Sequence, residues 1–340
     1  MSIYVGVDVS EATLDVAYAC NEKEETLKSY TNRPEGWKAL GEDVVALAAT
    51  LGESTIHLIA EPTGGYERGL VAYVYALNWQ VTIVNPYYLR RFIQGQGQRG
   101  KSDVRDALML ARYGKLKQPS AQEQMEECAR ELQSLLSRQD DLKKLLLSER
   151  NRLKQAEHNP TTPVAVQDSL DRTIKMLEEE QKALKAAVKE LLGRSKELKD
   201  QEKLLRTVPG VGAKVVLRLL TLFYRFQATT AGQGTADQLV AFLGLDPQPY
   251  ESGRSVRKRT TISRMGDKLG RADLFMAALG GVRGKNPLRS FYHHLQERGK
   301  AKKLALVACS RKILVWAWAV FTSGQRFDPQ RVLPKPQIAS

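Results

Sequence analysis

Leu170, Ile174, Leu177, Leu184, Val188 and Leu191 follow one another at spacings of 4, 3, 7, 4 and 3, with Gln181 as the one polar intruder. Apolar residues that return to one helix face at these intervals form the seam of a coiled coil. An earlier stretch, from about Cys128 to Glu157, sets Leu132, Leu135, Leu142 and Leu146 among charges, and HNPTTP at 158–163 interrupts the two. Proline cannot continue a helix, so an antiparallel helical hairpin is predicted. Residues 117–200 therefore stand apart as a coiled-coil middle segment, and the chain divides into a part before it and a part after. Heptads do not choose between an internal spacer and an oligomerisation arm.

Residues 1–116 read as a mixed α/β domain. IYVGVDVS, ATLDVAYAC and ETLKSYT predict three consecutive strands, and PEGWKALGEDVVALAATL has helical periodicity. TIHLIAE and QVTIVNP predict two further strands, GYERGLVAYVYALN a helix between them, and a last helix begins near Ser102. Hairpin strands followed by alternating units give a mixed sheet with helices on its faces.

Residues 201–325 read as mostly helical and end in LALVACSRKILVWAWAVF, an apolar helix suited to a core. Residues 326–340, rich in proline and polar groups, predict a loose tail. The charge is unevenly placed: residues 201–340 hold 24 Lys+Arg against 8 Asp+Glu, and the rest of the chain 28 against 30. A basic C-terminal part calls for a polyanion, with nucleic acid foremost. No apolar run approaches the roughly 20 residues of a membrane span. No secretory leader is read at the start, so the cytoplasm is the expected location. Cys20, Cys128 and Cys309 lie far apart without a CxxC pair, and His293 and His294 are adjacent, which argues against disulfide scaffolds and zinc sites.

The acids of the first segment carry the chemistry. Asp8 lies inside the apolar run YVGVDVS, where a carboxylate is costly unless paired, hydrogen-bonded or metal-bound. Glu61 follows IHLIA at a strand's C-terminal end, the usual ligand edge of open α/β sheets. In GKSDVRDALMLA, Ser102 suits an N-cap, and Asp103 and Asp106 fall in the first helical turn. Their i, i+3 spacing puts both on one face, about 4.5 Å apart along the axis. Four such oxygen donors suit Mg²⁺, and two ions about 4 Å apart assist in-line displacement at phosphorus.

Two motifs mark the basic segment. VPGVGAKVVLRLL predicts a turn entering a helix, with amides near Gly210 and Gly212 and the cation of Lys214 placed for a phosphate. A packing turn between helices reads equally well. The run 250–271 gathers Arg254, Arg257, Lys258, Arg259, Arg264, Lys268 and Arg271 against Glu251 and Asp267, as a phosphate-binding surface does. Ser252, in YESGRSVR, has no histidine nearby and by spacing reads as a loop residue.

YVGVDVS, AEPTGGY and GKSDVRDALMLA, in this order, resemble the DEDD motifs of bacterial insertion-sequence transposases with a Holliday-junction-resolvase-like nuclease domain, the bridge-RNA-guided recombinases. PGVG and YESG extend the resemblance over nearly the whole chain. It implies a ribonuclease-H-like fold for 1–116, with Asp8, Glu61, Asp103 and Asp106 as the metal-binding acids. It also implies that Ser252 attacks DNA to form a covalent phosphoserine, with Ser255 the first alternative. Target and donor DNA, a structured bridge RNA, a homotetramer built as a dimer of dimers and a place with the bacterial nucleoid follow from the resemblance. Two competing functions remain open: a metal-dependent junction-resolving nuclease using water, and an architectural nucleic-acid binder whose acids merely cap and pair.

Overall fold

The computed structural model describes residues 2–20, 23–26, 28–96, 103–252 and 256–331, without the side chains of 26, 103, 104, 250–252 and 256–259. Two units are present, Met1–Gln124 with Gln227–Gln233, and Met125–Phe226 with Gly234–Ser340.

In the first unit, Ser10 bonds the main chain and hydroxyl of Thr13 and closes the turn between β1 (Ser2–Val9) and β2 (Thr13–Cys20). Where one strand is predicted over ETLKSYT, two pieces form, β3 (Lys23–Thr26) and β4 (Tyr30–Thr31), and both pair with β2. Ala17 faces Thr26 but Leu14 faces Tyr30, a one-residue slip that a single unbroken strand cannot accommodate. Next come α1 (Pro34–Thr50), β5 (Thr55–Ala60), α2 (Arg68–Ala76) and β6 (Gln80–Ile83). The sheet order is β3-β2-β1-β5-β6, with β1 antiparallel to β2 and parallel to β5.

Alternation decides what covers each face. Ile3, Val5, Val7, Leu58 and Ala60 pack against Leu40 and Val44 of α1 and Leu70 and Val74 of α2. Ile59 and Tyr4 face the other way, in a cluster with Leu89 and Leu110. Those two leucines belong to α3 (Pro86–Gly95) and α4 (Asp103–Lys117). The strand predicted over QVTIVNP stops at Ile83 instead of Pro86, and no element is predicted over 87–95. Asn85 caps Tyr87 N–H and Pro86 occupies the first turn, so the start signal was present.

The second unit is helical apart from one ribbon. α5 (Glu127–His158) and α6 (Val164–Arg194) run antiparallel, tied by Arg150 to Glu178 at 2.6 Å and by Arg194 to Glu131. Ile174, Leu177, Val188 and Leu191 are buried, while the Gln181 amide nitrogen is buried without a hydrogen-bond partner among the described residues. The α5–α6 pair has its own cluster of Leu142, Leu146, Ile174 and Leu177. At its base, Ala129, Leu132, Leu136, Val188 and Leu191 join the main core instead.

That core is built with α7 (Lys196–Leu205), α8 (Ala213–Thr229) and α9 (Ala236–Leu243). Residues 247–262 depart from the helical expectation: β7 (Pro247–Ser252) and β8 (Val256–Ile262) form an antiparallel ribbon. The β-branched Val256, Thr260, Thr261 and Ile262 favour a strand, and the density of basic residues hid them. α10 (Lys268–Gly281), α11 (Pro287–Glu297) and α12 (Lys302–Ser323) complete the unit. By length and composition α12 is apolar enough to cross a membrane, but most of it is buried, with Cys309, Ile313, Leu314 and Ala317 fully inside. It is the predicted core helix. The tail begins docked rather than loose: Phe327 donates its N–H to the Thr207 hydroxyl at 2.9 Å and sets its ring 5.1 Å from Trp316.

Candidate active site

The site is organised by a residue without a side chain. A Cβ on Gly6 would stand 2.1 Å from the Ala107 carbonyl oxygen and 2.3 Å from the Ala111 nitrogen, so the backbones of β1 and α4 touch. A Cβ on Gly114 would lie 2.7 Å from the side chains of Tyr4 and Ile59. With Gly114 over Tyr4 and Ala107 over Gly6, α4 runs antiparallel to β1. Asp8 is the next residue on the same face of the strand, about 7 Å beyond Gly6. Four residues back along the helix cover about 6 Å, which carries α4 from Ala107 to its first turn. Asp8 thus comes to the end of α4 that bears Asp103 and Asp106. The side chain of Asp103 and residues 101–102, including the proposed cap Ser102, lie outside the described residues.

Glu61 arrives by strand pairing. Val7 is level with Ala60 in the parallel β1–β5 register, so Asp8 and Glu61 follow side by side as the two strands end. The turn beyond Glu61 is clamped by Glu67, whose carboxylate accepts the N–H of Thr63 at 3.1 Å and of Gly65 at 2.9 Å. Gly64 and Gly65 take φ of +75° and +112°, a region that favours glycine. Asp8, Glu61 and Asp106 are all half-buried.

A fifth carboxylate lies opposite, and the sequence reading passed it over. Asp15 pairs with Asp8 across the β1–β2 hairpin and accepts a hydrogen bond from the Ser29 hydroxyl. Cross-strand partners share a face about 5 Å apart, and facing like charges destabilise a sheet. The register of the predicted hairpin was the signal that could have found it. At the opposite end of these strands, where Ala19 pairs with both Tyr4 and Glu24, burial raises the Glu24 carboxyl, but hydrogen bonds from Arg112 and Lys115 of α4 outweigh it and hold Glu24 below its usual range.

Among the described residues, no three His, Cys, Asp or Glu side chains stand close enough together to hold a metal ion. The donors gathered at this edge are nonetheless carboxylates only, the chemistry that fits Mg²⁺ or a similar hard cation. The full set of four includes the Asp103 carboxylate, which is not among the described atoms.

In the second unit, the PGVG turn is shaped by packing. Gly210 has φ +87°, and a Cβ there would stand 2.6 Å from the Ala277 carbonyl oxygen. Gly212 and Ala213 are exposed, while Val215 and Val216 of the same turn enter the core. Lys214 is exposed too, but its ammonium bonds Asp273 at 2.6 Å. One turn on, Arg218 bonds Asp273 at 3.2 Å and Asp140 of α5 at 2.6 Å, with all three side chains less than a fifth exposed. Burial raises the Asp140 carboxyl, and the hydrogen bond and charge of Arg218 more than reverse that.

Ser252 ends strand β7, where a loop was expected. Arg257, Lys258 and Arg259 lie along β8. The side chains of these four residues, and residues Arg254 and Ser255 altogether, lie outside the described residues. Arg264 and Lys268 are exposed, Arg264 with φ +59°. Arg271 donates one Nη1 to the carbonyls of Leu243 at 3.0 Å and Gly266 at 2.8 Å, which joins α10 to the end of α9.

Two family models match the chain, one after the other. Residues 5–156, with Asp8, Glu61, Asp103 and Asp106, match the DEDD model described as a transposase of the IS110 group. Residues 202–293, with PGVG, Ser252 and the basic ribbon, match the model described as Transposase IS116/IS110/IS902 family. The chain carries IS110-family transposase domains. Its mixed sheet agrees with a ribonuclease-H-like DEDD transposase domain. Two pilin gene-inverting proteins, from Moraxella bovis and Moraxella lacunata, are each 29% identical over 330 residues, 96% of this chain and 97% of the relative. The transposase domains make this a DNA-processing enzyme.

Proposed function

We propose that this transposase is an RNA-guided DNA recombinase of an insertion sequence, cutting strands and rejoining them through a phosphoserine at Ser252 with divalent-metal assistance from Asp8, Glu61, Asp103 and Asp106. The observation that carries the cutting half is the convergence of Asp8, Glu61 and the first turn of α4 at one edge of the sheet. Mg²⁺ ions held by these acids supply charge neutralisation on the phosphate. Asp8, Glu61, Asp103 and Asp106 would fix where such ions sit and, through them, where the scissile phosphate lies.

The rejoining half rests on the match of residues 202–293 and on the relatives, which are named as gene-inverting proteins. Inversion leaves no broken ends, so the bond energy must be kept while strands exchange. The Ser252 hydroxyl oxygen attacks phosphorus and loses its proton to a base or solvent. A seryl phosphodiester forms, and the P–O bond to one deoxyribose breaks to leave a hydroxyl. Attack by a hydroxyl of the new partner strand reverses each change and frees the serine. Gly210, Gly212 and Lys214 at the start of α8, and the cations from Arg254 to Arg271, would hold phosphates. The basic second unit and the family resemblance support the remaining parts of the reading: target and donor DNA, a bridge RNA, and a tetramer that brings serine and acids together.

The deciding experiment supplies the protein with RNA transcribed from the DNA flanking its reading frame, both DNA partners and Mg²⁺. The wild type is expected to give a covalent protein–DNA adduct, Ser252→Ala none, and Asp8→Asn no cleavage with folding intact. An adduct persisting in Ser252→Ala moves the nucleophile to Ser255. Cleavage without any adduct in the wild type supports a water-using nuclease instead.

A further inference from the structure

α3 was absent from the sequence reading, and its exposed side has no role in the chemistry above. Tyr87 and Tyr88 are 43% and 54% exposed, unusual for aromatic rings on a domain that already has a packed core. Their rings meet edge to face at 5.7 Å, and the Arg91 guanidinium lies 5.4 Å from the centre of the Tyr87 ring. Arg90 is exposed beside them. Between α3 and α4 lies an open groove of about 540 Å³, lined by Tyr88, Arg91, Phe92, Tyr113, Leu116 and Lys117 among others, with no acidic side chain among the described residues of its wall. Phe92 supports Tyr113 edge to face at 5.3 Å.

Exposed rings give π faces for bases, and flanking arginines and a lysine give charge for phosphates. This combination marks single-strand binding surfaces, because every base can stack whatever its identity. Position adds a direction. Leu89 shares a cluster with Leu110, Phe92 touches Tyr113, and Gly95 and Gln96 line the groove with Leu116 and Lys117, so α3 and α4 run parallel, and Tyr88 stands with Tyr113 at the groove end nearer Asp106. Tyr113 is seven residues beyond Asp106, about 10 Å along the helix. At 3.4 Å per nucleotide that is about three nucleotides of one strand. The groove thus begins about 10 Å from Asp106 along α4 and leads away from it.

We infer that the α3–α4 groove binds an unpaired DNA strand on its way to or from the acidic edge, with Tyr87 and Tyr88 stacking bases and Arg90, Arg91 and Lys117 holding phosphates. The choice of DNA rests on the proposed function of that edge; the stacking surface itself does not.

The test is photocrosslinking of the full-length chain in EDTA, which prevents strand cleavage, to a short single-stranded oligodeoxynucleotide carrying 5-iodo-2′-deoxyuridine. Iodouracil couples to an aromatic ring stacked upon it, and mass spectrometry of tryptic peptides locates the ring. The expected adducts fall on Tyr87 or Tyr88. The double variant Tyr87→Leu/Tyr88→Leu is expected to lose them and to bind the oligonucleotide at least about fivefold more weakly, the low end for one base's stacking. Both side chains are exposed, so its circular-dichroism melting curve should match the wild type. Adducts confined to residues 125–340, or unchanged affinity in the double variant, overturn the inference. Stronger crosslinking of the same tyrosines to a matching iodouridine RNA overturns the assignment to DNA. The Asp8→Asn cleavage assay is independent: a cleaving Asp8→Asn protein with intact Tyr87 adducts removes the acidic mechanism and leaves the stacking surface standing.

Discussion

Asp8 and Ser252 are both strand residues, yet they are held in different ways. Asp8 sits in β1, paired on one side with β2 and on the other with β5, and pressed against α4 through Gly6. Ser252 ends β7, whose strand partner among the described residues is β8 alone, and the register of that ribbon shifts between Gln248 and Tyr250. A central strand has its position fixed by neighbours on every side, whereas a two-stranded ribbon is marginal without support. The lesson is that the acids are preset by the fold, while the serine is carried at the end of a ribbon whose far end, at Ile262, is the part that packs on the main core. Changes to the packing around Asp8, as at Gly6, should therefore disturb chemistry and stability together, and changes around Ser252 chemistry alone.

The largest effect expected from this contrast is catalytic. Asp8→Asn or Asp106→Asn should lower strand cleavage by on the order of a thousandfold or more, in the range seen when a transition-state contact is removed. Hydrogen exchange in β1 should stay close to wild type, and wild-type cleavage by either variant would break the comparison. Next comes the second unit. Arg218→Ala leaves the buried carboxylates Asp140 and Asp273 with only the more exposed Lys143 and Lys214 as partners, and is expected to cost about 3 kcal/mol, read by denaturant unfolding. A smaller loss is expected from Gly6→Ala, because the new methyl meets backbone that cannot rotate away. We expect about 1–3 kcal/mol and a fall in cleavage as α4 is pushed off β1. A Ser252→Ala protein should match the wild type in both unfolding measurements.

The last effect, absent at neutral pH and growing only in acid, is a pH dependence that separates the units. Burial pushes the His57 imidazole down to about 4, with its Nε2 2.8 Å from the Thr82 hydroxyl. The folded state keeps it neutral while the unfolded chain takes up a proton near pH 6.5. Its contribution is complete above that pH and is lost as pH falls towards 4, by up to roughly 3 kcal/mol. The Asp140 carboxyl, held low by Arg218, keeps its contribution down to its ordinary range and loses it only on further acidification. Hydrogen exchange should show β5 loosening at a higher pH than α8, and His57→Gln should flatten the first response. Simultaneous loosening would contradict it.

Much of this arrangement was readable from residue order, where the physical signal is local. Carboxylates at Asp8 and Glu61 ending apolar strands, the α4 acids and the α12 core helix all follow from periods of two and near three and a half. What escaped was set by pairing between distant segments. The slip between β3 and β4 exists only relative to β2, and Asp15 matters only because it faces Asp8. The β7–β8 ribbon was hidden by arginines whose charge says nothing about backbone shape. The short α3 lacks a long apolar period, and Asn85–Pro86 was its one clear mark. Ser252 shows the opposite limit: nothing in its spacing distinguishes it from a turn residue, and its proposed role comes from family likeness.

The α5–α6 pair has a metrical consequence. Its base is fastened into the main core through Leu132, Leu136, Val188 and Leu191, but from Leu142 to His158 the two helices pack chiefly on one another. Sixteen helical steps at 1.5 Å extend the tip about 24 Å past that fastening. Adding one heptad to each helix would lengthen this reach by about 10 Å without disturbing the seam, and removing one would shorten it equally. The distance at which the tip meets any second body is thus written in the residue count of two helices, as graduations are on a measuring rod.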